Sequence, residues 1–263
     1  MNMASSGFCL VTPASRGLGF AFARYLLANS NLPVVATARR NCDEVHDQLL
    51  SGIKGKKILQ VLPVDVTDES SLSSMASHLR DTFPNTSLRL ALTLPGILHV
   101  EKSPSQISAS NALQSFQVNA LGPLLLMKHL TPFLPTKSSP PFNPTKGALI
   151  LPTHAIYAMM AARVGSISDN SSGGWYSYRA SKAAVFQLAK TLDLHLCTRS
   201  RERACAVALH PGTVRTDFTR EYWDGRGMLE ADEAAGKLLG VLVAMGMEGR
   251  GRCWDWRGEE VVP

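Results

Sequence analysis

Short apolar runs alternate with stretches of helical spacing along the whole chain. Residues 8–11 are apolar and stop at the turn Thr12-Pro13-Ala14-Ser15-Arg16-Gly17-Leu18-Gly19. Phe20, Ala23, Leu26 and Leu27 then recur at helical spacing. Residues 32–36, 58–64 and 88–94 read as further strands, the middle one ending at Asp65-Val66-Thr67-Asp68, and residues 70–79 as a capped helix. In the second half, residues 111–130 predict a helix that bends at Gly122-Pro123 and stops at Pro132. Residues 135–146, rich in Pro, Ser and Lys, predict an exposed loop. Residues 155–160 and 204–209 predict strands on either side of a long helix over 178–199. Residues 215–229 mix charges and aromatics without a period and read as a mobile loop; a helix over 231–245 and an edge strand over 252–256 follow. This alternation predicts a doubly wound α/β domain, with about seven parallel strands and helices on both faces. No repeat or linker divides residues 1–263, so a single domain is expected.

Composition narrows the function classes. Hydrophobic content of 45% with 18% charged residues is that of a globular chain able to bury a sizeable core. The five cysteines (Cys9, Cys42, Cys197, Cys205, Cys253) are scattered without a CxxC pair, which argues against a disulfide framework or zinc ribbon. They suit a reducing, cytoplasmic setting. The seven histidines form no HxH or HxxxH pair, so no metal site is expected. The longest apolar stretch, 147–164, is broken by Pro152 and His154 and falls short of the ~20 residues that span a bilayer. No membrane segment is expected, nor a targeting segment, because residues 1–7 lack a basic region. The net charge of +6 gathers at Arg39-Arg40, Lys54/Lys56/Lys57 and Arg199/Arg201/Arg203, without a continuous basic reading element for nucleic acid. The first cluster suits a small polyanion such as a phosphorylated dinucleotide.

Three constellations carry chemistry. The turn from Thr12 to Gly19 leads a strand into a helix, where backbone N–H groups can face a pyrophosphate. Gly17 and Gly19 stand where close approach is needed, although Pro13 occupies the place of a first glycine. At the end of the second strand no carboxylate precedes Asp43; Arg39, Arg40 and the nearby Arg16 offer guanidinium groups instead. Such groups bind phosphate through charge-assisted hydrogen bonds and favour NADP(H) over NAD(H). Tyr178 and Lys182 lie one helical turn apart in Tyr178-Arg179-Ala180-Ser181-Lys182. A neighbouring ammonium favours phenolate and would lower the tyrosine pKa, poising it for proton exchange with a carbonyl or alcohol.

With Thr12–Gly19, Asp65–Asp68, Val118–Pro123, Tyr178–Lys182 and His210–Thr216 in this order, nearly the whole chain resembles the short-chain dehydrogenases/reductases. Residues 164–184 and the ending over residues 251–260 (GRCWDWRGEE) look like the C-factor and Sniffer carbonyl-reductase branch; the wording of the first turn and the insert before Ala155 look like its fungal members. The resemblance implies a Rossmann fold and a catalytic group of Tyr178 as acid/base, Lys182 as its partner and Asn119 as anchor of a proton-feeding water. It implies cofactor binding by Thr12, Ser15, Arg16, Gly17, Leu18, Gly19, Arg39, Asp65, Val66, Gly96, Tyr178, Lys182, Pro211, Gly212, Val214 and Thr216. Residues 215–229 would form a substrate lid, and the helices over 111–130 and 178–199 would pair in a homodimer or homotetramer, with Leu124, Leu125, Phe186 and Leu194 as contact candidates.

Two positions depart from the family pattern. Thr93-Leu94-Pro95-Gly96 replaces Asn-Asn-Ala-Gly, keeping only the glycine. The position of the catalytic serine falls on Ala161; a rival register would place Thr153 or His154 there, at a longer distance from Tyr178. Ser166 and Ser168 are the nearby hydroxyls that could substitute. The implied function is an NADP(H)-dependent oxidoreductase interconverting a small carbonyl compound and its alcohol. The alternative is a catalytically weak or inactive NADP(H)-binding sensor or signalling protein, which Ala161 keeps open.

Overall fold

The computed structural model describes residues 6–222 and 227–263. Strands β1 (Phe8–Thr12), β2 (Val34–Ala38), β3 (Leu59–Pro63) and β4 (Leu88–Thr93) alternate with helices α1 (Gly17–Asn29), α2 (Cys42–Leu50) and α3 (Glu69–Thr82). Helices α4 (Ala109–Phe116) and α5 (Gly122–Leu130) follow, then β5 (Ala155–Met160), α6 (Tyr176–Arg199) and β6 (Ala204–His210). Two-residue strands β7 (Val214–Arg215) and β8 (Leu229–Glu230), helix α7 (Ala231–Ala244) and strand β9 (Cys253–Asp255) complete the chain.

The expected parallel sheet of seven strands is present, in the order β3-β2-β1-β4-β5-β6-β9. Its helices lie on both faces, giving a single-domain Rossmann-like α/β fold. Strand order reverses between β1 and β4, which run in register as far as the pair Thr12 and Thr93. Ligands of open α/β sheets bind at such a switch point, beyond the carboxyl ends of the strands. Strand alternation divides the core in two. Along β5, Ala155, Tyr157 and Met159 face the cluster built with α3, α5 and α6. Ile156 and Ala158 face the cluster built with α1, α2 and α7.

Several sequence expectations are corrected. Helix α2 was not expected, because only Val45 and Leu49 of its nine residues are buried and so short a segment shows little period. Strand β2 begins two residues later than read, beyond Pro33. The helix over 111–130 is interrupted by a π-turn at Gln117–Leu121. Pro123 has no N–H to offer the Asn119 carbonyl four residues back, and the Gly122 N–H instead reaches the Gln117 carbonyl. Among the described residues of the expected loop, β7 and β8 pair in parallel, and a 3-10 turn spans Asp217–Tyr222. Residues 223–226 of the expected lid, and residues 1–5 of the amino terminus, lie outside the described residues.

The insert before β5 is docked as well as exposed. Arg89 of β4, 1% exposed, donates from its guanidinium to the carbonyls of Ser6, Asn143, Leu151 and Pro152. Phe142 packs its ring 5.0 Å from that guanidinium. Among the described residues, no helix is long and apolar enough to cross a membrane.

Candidate active site

The turn after β1 is shaped by close approach. Gly17 adopts φ +56°, a left-handed conformation that favours glycine, and a Cβ at Gly19 would collide with the Pro13 carbonyl oxygen. The turn is tied to β2 by a 2.7 Å hydrogen bond between the Thr12 and Thr37 hydroxyls and by the Ala14 N–H to the Thr37 carbonyl. Helix α1 starts without a side-chain cap or an acidic residue in its first turn, so its positive end faces the crevice uncompensated by the chain. Thr216 leans over this turn, its methyl 3.4 Å from where a Gly17 Cβ would be. Pro211 and Gly212 follow β6, with Gly212 at φ +76° packed on the Trp256 indole. Val214 is buried in β7.

At the other end of the crevice, Arg16, Arg39 and Arg40 are exposed and form no ion pair among the described residues. Asp65 accepts the Thr67 N–H and hydroxyl, which hold its carboxyl below the ordinary range; the Arg39 charge adds a smaller push in the same direction. Val66 packs against Gly122 at the start of α5. Apart from Tyr178 and Lys182 on α6, the sequence-predicted cofactor residues therefore lie at or just beyond the carboxyl ends of β1, β2, β3, β4 and β6.

Tyr178 and Lys182 sit in the first two turns of α6, 6% and 3% exposed. The Lys182 ammonium lies 5.9 Å from the centre of the Tyr178 ring and donates to the Met160 carbonyl at 2.8 Å. Gly96 lies next to it: a Cβ there would stand in ordinary contact, 3.5 Å from Lys182 Nζ. Burial pushes the lysine down to about 8 and pushes the tyrosine upward. The expected lowering of Tyr178 by its neighbour is thus corrected: loss of hydration outweighs an ammonium directed at a backbone carbonyl. At neutral pH the phenol is protonated.

Asn119 is fully buried in the π-turn, and its amide braces the site. Oδ1 accepts the Ile97 N–H at 2.8 Å, while Nδ2 donates to the Ile97 carbonyl and to Ser181 Oγ. Ser181 in turn donates to the Tyr178 carbonyl at 2.8 Å. The loop after β4, the π-turn and α6 are thereby joined around Lys182. The side chain of Asn119 is spent on this brace, and the Asn119 carbonyl is the group that Pro123 leaves without its helical donor.

No serine stands beside the phenol at the end of β5. Ala161 is buried, its N–H bonded to the Leu209 carbonyl, and Ala162 follows it half-buried. A one-residue shift in register therefore restores no hydroxyl. Of the substitutes, Ser168 donates its hydroxyl to the Pro263 carbonyl, while Ser166, fully buried, accepts the Asp169 N–H. His154 precedes β5, at the opposite end of the strand from Tyr178, and burial lowers its pKa. His210 accepts the Arg163 N–H at Nδ1, and burial lowers it to about 4, so it is neutral at physiological pH. Cys205 and Cys253 are buried thiols pushed upward by desolvation, as inert cysteines are. Sequence reasoning missed Glu101 and Phe218 beside the site. A lone glutamate in a loop and an aromatic in an aperiodic segment carry no local signal.

A crevice at the switch point, a glycine turn against a helix start and a buried Tyr/Lys pair define a dinucleotide-binding α/β protein. Residues 13–243 match the family described as enoyl-(acyl carrier protein) reductase, and the chain belongs to the short-chain dehydrogenase/reductase family. It is 28% identical over 189 residues to the 1-hydroxy-2-glutathionyl-2-methyl-3-butene dehydrogenase of a Rhodococcus species, covering 72% of this chain and 74% of that protein. It is 30% identical over 155 residues to the C-signal protein of Myxococcus xanthus, covering 59% and 80%. The solved structure of NADPH-bound carbonyl reductase from chicken fatty liver superposes with a TM-score of 0.82 at 26% identity, covering 99% of this chain and 100% of that one. The chain is an oxidoreductase of this family with a carbonyl-reductase-like fold.

Proposed function

We propose that the protein is an NADP(H)-dependent reductase of small aldehydes or ketones. The observation that carries this reading is the Tyr178/Lys182 pair, buried beside Gly96 at the end of the sheet that also carries the glycine turn. The crevice fits a nicotinamide dinucleotide. The uncapped start of α1 and the close-packed glycines suit a pyrophosphate, Asp65 and Val66 the adenine, and Pro211, Gly212, Val214 and Thr216 the nicotinamide. When bound, such a cofactor supplies the electrons that reduce the carbonyl carbon.

The chain's own residues handle the proton. Tyr178, protonated because burial opposes phenolate, donates to the carbonyl oxygen as charge develops there. Lys182, still largely charged at neutral pH, stabilises the phenolate left behind. Asn119 and Ser181 hold both groups in register. A second reading, a binding protein with little turnover, is favoured by the alanines at 161 and 162, since one missing oxyanion donor costs on the order of 10²–10³ in rate. The deciding experiment measures NADPH oxidation against a carbonyl panel beside direct NADPH binding. Slow turnover that rises about tenfold or more in Ala161→Ser or Ala162→Ser supports the reductase. Tight NADPH binding without turnover in any of the three proteins supports the silent protein.

Cofactor choice follows from the free guanidinium groups. Arg39→Ala is expected to reduce the preference for NADPH over NADH about tenfold, an exposed charge-assisted contact being weaker than a buried one. Fluorescence titration with both cofactors checks this, and an unchanged preference would remove Arg39 from the site.

A symmetric dimer through α4, α5 and α6 accounts for the apolar surface there. Leu113 is 70% exposed and Leu194 57%, with Phe116, Leu121 and Leu124 also exposed. Phe186, by contrast, is buried, and Leu125 packs against the core, so these two candidates serve packing. Light scattering at micromolar concentration is expected to give twice the chain mass, falling to one chain in Leu113→Glu/Leu194→Glu.

A further inference from the structure

The connection between β4 and α4 sends Glu101 beneath the first turn of α6, where both carboxylate oxygens are used. Oε2 accepts the Ser177 N–H at 2.7 Å and Oε1 the Ser177 hydroxyl at 2.8 Å. The Glu101 carbonyl accepts the Trp175 N–H at 2.6 Å. Trp175, in the N-cap position, makes no side-chain cap of its own, so the helix start depends on a residue far away in sequence. A carboxylate is favoured at this positive end, yet a capping group can serve from the surface, and Glu101 is only 2% exposed.

The same contacts hold an unusual backbone. Trp175 has φ +49° and ψ +46°, directly after Gly173 and Gly174, which are also left-handed. A bulky side chain rarely adopts this conformation, and it persists where surrounding contacts over-determine it, often at ligand clamps. Its result is a ring placement. The Trp175 indole stands edge-on to the Tyr178 ring at 6.2 Å, and the Phe218 ring is tilted against Tyr178 at 6.0 Å. Phe218 is 42% exposed and Trp175 half-buried, so both present aromatic surface next to the reactive phenol.

We propose that Glu101 is a positioning residue that locks an aromatic clamp around Tyr178, and that Trp175 and Phe218 thereby select carbonyl compounds carrying a flat aromatic group. This rests on Tyr178 being the acid of the proposed reduction. A substrate oxygen hydrogen-bonded to the phenol brings the neighbouring substituent to these rings, where edge-to-face contact rewards an aromatic group over a saturated one of equal size.

The test compares 2-naphthaldehyde with its fully saturated decalin counterpart. kcat/KM is measured with NADPH, and binding of the two corresponding alcohols to the NADPH-loaded protein is measured by calorimetry. The wild type is expected to prefer the aromatic member about three- to tenfold in both readouts. Trp175→Leu should bring that ratio close to one while NADPH affinity stays unchanged. Glu101→Ala should do the same, and Glu101→Gln, which keeps an acceptor for the Ser177 N–H, should retain most of the preference. Should Glu101→Ala fail to fold, Trp175→Leu and Glu101→Gln decide the matter. Equal handling of both compounds by the wild type, or a ratio untouched by Trp175→Leu, overturns the proposal. Turnover that survives Tyr178→Phe overturns the reductase reading instead, while alcohol binding still reports on the clamp.

Discussion

Tyr178→Phe is expected to lower carbonyl turnover about 10²–10⁴-fold with NADPH affinity unchanged, and Lys182→Met to abolish turnover comparably while making the protein more stable. The first change removes only the hydroxyl, so the packing of Trp175 and Phe218 on the ring persists. The second removes a buried charge whose only hydrogen-bond acceptor in the described structure is the Met160 carbonyl. Burial lowers Lys182 from 10.5 to about 8, so the folded state holds its proton less tightly than the unfolded chain does. The penalty for keeping the ammonium buried is therefore fully present below about pH 8. It fades as pH rises toward 10.5, and above that both states are neutral. A shift of this size corresponds to about 3 kcal/mol, which Lys182→Met should recover at pH 7. Melting curves of the two proteins should converge between pH 8 and 10.5, where wild-type stability rises with pH relative to the variant. A variant less stable than wild type at pH 7 would show that Lys182 is satisfied in its place. Loss of turnover together with gain of stability is the signature of a residue retained for chemistry.

Arg89→Met is expected to cost about 3–5 kcal/mol in stability and to expose the insert before β5 to proteolysis. The guanidinium serves four carbonyls at once, those of the exposed Ser6 and Asn143, the buried Leu151 and the half-buried Pro152. It forms no ion pair among the described residues, and burial lowers its pKa. A methionine of similar length fills the space but leaves those acceptors without donors. Arg89→Lys should rescue little, because three hydrogens on one nitrogen cannot reach acceptors that a planar fork spans. Urea unfolding and limited proteolysis of the three proteins provide the measurement. An Arg89→Met protein within about 1 kcal/mol of wild type would mean that water replaces the guanidinium without loss.

Much of the molecule is legible in the order of its residues. Seven apolar runs alternating with helical spacing determine a parallel sheet, because strand and helix periods are local properties of consecutive side chains. Gly17 and Gly19 mark the close-packed turn, since a left-handed φ favours glycine and a carbonyl pressed against the Cα leaves no room for a Cβ. Tyr178 and Lys182 share a helix face by spacing alone. The interruption at Gly122-Pro123 is legible too, as a bend, although its form as a π-turn carrying Asn119 is not. What tertiary structure decided depends on groups brought together across long stretches of chain. Tyr178 is raised instead of lowered because packing removed its water. Glu101 reaches Ser177 across 76 residues, and Arg89 reaches Ser6 across 83, so neither partnership leaves a periodic trace. Phe186 and Leu194 look alike in the sequence, yet one faces the core and the other the surface, because helix orientation against the sheet is a property of the packed whole. Periodicity determines which elements form; burial, and with it the protonation of the site, is settled only when distant elements close over one another.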